Sequence, residues 1–121
     1  MARILRGEVR WVHPAVGAAP GGDSGGDSGG DSGHAVLILS ADVFTERSGT
    51  AICAAVTSDE LAARYPLFLK LGSRALPRPG WVCIGQVQTI STDRIGTRAG
   101  RATAEELSAV LEGLREILDE Q

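Results

Sequence analysis

His34-Ala-Val-Leu-Ile-Leu-Ser40 and Thr50-Ala-Ile-Cys-Ala-Ala-Val-Thr57 are short apolar runs carrying several β-branched side chains. Neither places a polar residue at every second position, so both read as strands buried on both faces. The polar stretch between them, Asp42 to Gly49, reads as a connection with room for one helical turn. Toward the N-terminus, Glu8-Val-Arg-Trp-Val12 alternates polar and apolar and predicts a half-buried strand ended by Pro14. Toward the C-terminus, Ser58 to Arg64 predicts a short helix capped by Ser58 and stopped by Pro66, and Leu67 to Leu71 a further strand. The turn Pro77-Arg-Pro-Gly80 then leads into Trp81-Val-Cys-Ile-Gly-Gln-Val-Gln-Thr-Ile90, a strand with a bulge or weak point at Gly85. Thr103 and Glu106 have capping-box spacing, and Leu107, Val110, Leu111, Leu114, Ile117 and Leu118 follow on one helical face. These elements predict an α+β fold, mainly β: a small, strongly bent sheet or open barrel covered by a C-terminal amphipathic helix.

The chain has 121 residues, enough for one domain spanning 1–121. Aromatic residues make up only 4%, so the core is expected to be aliphatic, and a surface built mainly for stacking bases on rings is disfavoured. The longest apolar runs fall well short of the roughly 20 residues that span a bilayer. The opening Met-Ala-Arg-Ile-Leu-Arg-Gly-Glu turns charged before an apolar signal core can form, so no membrane association is expected and the cytoplasm is. Cys53 and Cys83 lie in strand-like apolar runs without metal-ligand spacing, and are expected as buried thiols with no metal and no cofactor. Residues 64–101 carry a net +6, whereas 1–63 carry −4 and 102–121 carry −5. A basic middle suits an anionic substrate; an unevenly charged solvated surface accounts for it equally well. Residues 21–33 are three copies of Gly-Gly-Asp-Ser closed by Gly33, a composition that predicts a flexible loop. Asp23, Asp27 and Asp31 recur at every fourth position, unlike the alternate-residue ligands of a calcium loop.

Taken in order, Arg6-Gly-Glu-Val-Arg-Trp-Val12, Ala35-Val-Leu-Ile-Leu-Ser40, Ala55-Val-Thr-Ser58, Gly85-Gln-Val-Gln-Thr-Ile90 and the final helix resemble the MazF/PemK-like toxins of bacterial type II toxin–antitoxin systems. The resemblance covers nearly the whole chain. It implies an SH3-like open barrel that forms a homodimer, cleaves single-stranded RNA at short sequences without a metal, and is blocked by a cognate antitoxin filling the RNA groove. Thr57, with Ser58 after it, occupies the place of the family's strand-end threonine, and Gln86 that of its glutamine. The family's arginine–proline before the second strand reads His34-Ala35 here, a later arginine reads Gln88, and the loop between the first two strands is the Gly-Gly-Asp-Ser repeat.

Metal-free RNA cleavage turns the 2′-hydroxyl on its neighbouring phosphate. It needs a base, an acid, and donors that hold charge on the phosphorus oxygens. His34 and Thr57 are therefore the candidate catalytic residues, and Ser58, Gln86 and Gln88 the candidate RNA contacts. His34 can act as acid or base, or simply cap a strand at a loop mouth; Thr57 and Gln86 have ordinary strand roles as alternatives. His13, the only other histidine, offers a partner for an acid–base pair or sits in a surface turn. The competing expectation, favoured by His34, Gln88 and the acidic repeat, is a catalytically degenerate binding module that keeps the dimer and the antitoxin groove.

Overall fold

Gly7 holds together the lead-in to the first strand. Its φ of 91° lies in the left-handed region that favours glycine. In that conformation its N–H donates to Ile38 O and its carbonyl accepts from Ala102 N, each at 2.8 Å, joining three distant segments. The computed structural model describes residues 3–13, 34–58, 68–72 and 80–119. Within them run β1 (Glu8–Val12), β2 (His34–Ile38), α1 (Asp42–Ser48), β3 (Thr50–Thr57), β4 (Phe68–Leu71), β5 (Gly80–Ser91), a 3₁₀ turn (Thr92–Arg94), β6 (Ile95–Arg101) and α2 (Ala104–Leu118). The strands form one antiparallel sheet in the order β4-β5-β3-β2-β1-β6, open rather than closed, with β4 and β6 at its edges. The fold is α+β and mainly β, as the sequence predicts.

Both faces of the sheet are apolar. One carries Val9, Ala35, Leu37, Ala54, Val82 and Ile84, on which α2 seats Val110 with Leu107, Leu111 and Leu114 alongside. The other carries Val12, Val36, Ile38, Ala51, Cys53, Ile90 and Ile95. Alternate residues of β2 therefore enter different cores, which is why its sequence shows no polar alternation. Both cysteines are buried free thiols, as expected. The α2 capping box is formed as its spacing predicts: Thr103 Oγ1 accepts from Glu106 N at 3.0 Å and Glu106 Oε1 from Thr103 N at 2.9 Å.

Three expectations are revised. The 42–49 connection is a seven-residue helix closed by Gly49 at φ 75°. The polar side of β1 is buried: Glu8 and Arg10 have side chains only 5% and 8% exposed and pair at 2.9 Å, so their alternation marks a buried ion pair and not a wet face. Arg10 also donates to the carbonyls of Gly96 and Arg3, and Glu8 accepts from Leu5 N. Ile117 and Leu118, placed on the apolar face by periodicity, are 40% and 74% exposed in the last turn of α2. Strand β6 had no expectation attached to it. The expected helix at 58–64 lies outside the described residues apart from Ser58, as does the 21–33 repeat.

Candidate functional site

His34 opens β2 and faces Val12 of β1 across the ladder, and Val12 faces Ile95 of β6 on its other side. The β2–β3 register pairs Ala35 with Val56, so its next step sets Thr57 opposite His34. Thr57 faces Trp81 of β5, and Trp81 faces Lys70 of β4. One lateral row therefore crosses the whole sheet at one end: Ile95, Val12, His34, Thr57, Trp81, Lys70. Directly opposed residues share a face, here that of Val12, Val36 and Cys53, away from α2. His34 is exposed, Thr57 half-buried and Trp81 buried. The Lys70 ammonium sits 5.9 Å from the centre of the Trp81 ring, within cation–π range.

Ser58 follows Thr57 at the exposed end of β3. The two glutamines lie elsewhere along the sheet. Gln88 faces Cys53, four residues up β3 from Thr57, or about 13 Å at strand rise. Gln86 lies where the β3–β5 register breaks, between the pairs Ala54–Val87 and Val56–Val82. That irregularity is the predicted bulge, extended over several residues around Gly85. So His34, Thr57 and Ser58 come together, while exposed Gln86 and Gln88 occupy the neighbouring strand.

Two further groups share the His34 corner. His13 N donates to Arg94 O at 2.8 Å, and Arg94 Nε donates back to His13 O at 3.0 Å, closing the end of β1 onto the 3₁₀ turn. The turn is itself capped by Ser91 Oγ, which accepts from Asp93 N. The His13 ring packs so closely on Gly96 that a Cβ built there would lie 2.6 Å from its Nε2. The fold lowers the pKa of His34 below the ordinary 6.5, first through partial desolvation of the ring and then through the Arg94 guanidinium. The imidazole is therefore neutral near pH 7, able to accept a proton and unable to serve as a lasting cation. Arg94 gives no local signal in the sequence, where it stands alone in Thr-Asp-Arg; only the pairing of β6 with β1 brings it to this corner. Among the described residues, no group of three His, Cys, Asp or Glu side chains gathers to hold a metal. A shallow depression along the second half of α2, lined by Leu111, Leu114, Arg115, Leu118 and Asp119, lies away from this row.

A family model described as the PemK-like, MazF-like toxin of type II toxin–antitoxin systems matches residues 5–118. The chain belongs to this family. Among solved structures, a MazF from Deinococcus radiodurans aligns over 98% of both chains at 21% identity with a TM-score of 0.74. A mycobacterial endoribonuclease aligns over 98% of this chain and 93% of its own at 19% identity, TM-score 0.71. Another, solved in complex with its cognate antitoxin, aligns over 98% and 95% at 19% identity, TM-score 0.68. At these identities the likeness is one of fold. No curated protein sequence matches the chain significantly. Within the MazF-like fold, the His34–Thr57 corner falls at one end of the sheet, on the face that α2 leaves uncovered.

Proposed function

We propose that this MazF-like toxin is an endoribonuclease acting on single-stranded RNA without a metal or other cofactor, with the His34–Thr57 corner as its site. The observation that carries this is the pairing of an imidazole and a hydroxyl on one face of adjacent strands, where the resemblance to the family had separately suggested chemistry. The 2′-oxygen gives its proton to a base as it bonds to phosphorus. The P–O5′ bond breaks, the 5′-oxygen takes a proton, and the products are a 2′,3′-cyclic phosphate and a 5′-hydroxyl. Neutral His34 is the base. The His13 ring is packed against Gly96, so the proton that His34 takes returns to the leaving oxygen through water. Thr57 donates a hydrogen bond to a phosphate oxygen. Ser58 contacts the strand where it leaves the corner, and Gln86 and Gln88 read base edges along β5. The active form is a cytoplasmic homodimer, and a cognate antitoxin silences it by covering the RNA groove.

The test is to incubate purified protein with a long RNA in excess EDTA, with Thr57→Ala alongside, and to assay the new ends. Cleavage leaving cyclic phosphates, abolished or strongly slowed in the variant, is the expected result. Intact RNA, bound but uncut, would establish the binding-module alternative instead. Cleavage only after addition of a divalent metal would overturn the mechanism.

A further inference from the structure

We propose that Arg94 is the permanent cation of the site, holding the phosphate whose ester bond is broken while His34 moves the proton. This rests on the endoribonuclease reading above. The charge that builds on a five-coordinate phosphorus needs a group that stays positive throughout the reaction, and an arginine fork meets two phosphate oxygens at once. His34 cannot do this while serving as a neutral base. Of the other arginines around this end of β1, Arg10 is consumed by Glu8, Gly96 O and Arg3 O, and Arg98 reaches Glu8 at 3.5 Å. Arg94 is held differently. Its Nε is pinned to the His13 carbonyl at 3.0 Å, which fixes the plane of the guanidinium and leaves both Nη groups without an ion-pair partner among the described residues.

The topology sets its distance from His34. Only the Val12 position of β1 separates β2 from the start of β6, so the two backbones stand about 10 Å apart, twice the strand spacing of about 4.8 Å. A phosphate between two such side chains touches both. The charged or titratable groups nearest the corner among the described residues are His13, Asp93 and Arg94; Arg10 and Arg98 are drawn to Glu8, and Lys70, farther along the row, sits over the Trp81 ring. Asp93 accepts no ion pair from Arg94.

The experiment compares wild type, Arg94→Ala, Arg94→Lys and, as a charge control on the exposed end of β6, Arg101→Gln. Cleavage of a long RNA is measured with and without added guanidinium. Binding of a 2′-O-methyl RNA, which has no nucleophile, is measured across a salt series. Arg94→Ala is expected to slow cleavage by about 100-fold or more and to recover part of it in guanidinium, which a merely structural defect would not do. Arg94→Lys should fall between, since a point charge replaces a fork. The slope of log Kd against log salt should shrink by about 0.7 in Arg94→Ala, one phosphate on a single strand. Arg101→Gln should cleave within a factor of about two of wild type. If wild type cleaves and Arg94→Ala cleaves as fast, the assignment of Arg94 is wrong and the endoribonuclease stands. If wild type does not cleave, that reading fails, and the salt slope decides Arg94: an unchanged slope removes it from the phosphate, a reduced slope keeps it there.

Discussion

At His34 two influences act in one direction, since partial desolvation and the Arg94 charge both disfavour the imidazolium. Cleavage that depends on neutral His34 should rise with pH through a midpoint below 6.5 and level off by neutrality. Titration of the His34 ring by NMR checks this without any activity. In Arg94→Gln the midpoint should move upward yet stay under 6.5, because desolvation is the larger cause and remains. The same shift bears on stability: between the folded and unfolded pKa values the unfolded chain binds more proton. The contribution of His34 is thus complete above 6.5 and is lost as pH falls through the folded value. The Glu8–Arg10 pair behaves in another way. Each side chain is nearly fully buried, so Glu8→Ala leaves a guanidinium charge without compensation and should cost about 3–5 kcal/mol by denaturant unfolding. Replacing both with apolar residues of similar volume should recover much of that loss.

At the scale of elements, one carboxylate links the start of α2 to the end of β4. Glu106 closes the capping box through Oε1, while its Oε2 accepts from Gly72 N, just past β4, at 2.7 Å. Thr103→Ala should cost about 1 kcal/mol, an ordinary cap loss. Glu106→Ala should cost more and speed amide exchange at Gly72, which Thr103→Ala should leave alone. The cap was legible because its chemistry is local, as was α2 itself through its 3.6-residue period. Strands β2 and β3 were legible because both their faces are apolar, and β5 through its buried first half, Trp81-Val-Cys-Ile84. β6 was not: Ile95-Gly-Thr-Arg-Ala-Gly-Arg101 has a single large apolar residue, and only pairing with β1 makes it a strand. Candidate site residues followed the same division. His34 and Thr57 lie at the ends of legible strands, whereas Arg94 depends on β6. Trp81 and Lys70 depend on registers that no local pattern records.

For the whole molecule, the proposed homodimer predicts a solution mass twice the 12.6 kDa of one chain at micromolar concentration, readable by light scattering. A monomer there would count against the toxin reading and the binding-module alternative together. The cysteines allow a different measurement. Burial pushes the Cys53 thiol up to about 12 and raises that of Cys83 as well, so at neutral pH neither is a thiolate and neither reacts readily while the sheet is closed. A thiol reagent then counts openings instead of exposed sulfur. Cys53 sits on β3 within the sheet, facing Gln88, whereas Cys83 faces Phe68 of the edge strand β4. Peeling of β4 alone would label Cys83 at denaturant concentrations where Cys53 stays silent; a sheet that opens as one body would label both together. The native chain thus carries two clocks, one at its margin and one near its centre, and the lag between them times how it comes apart.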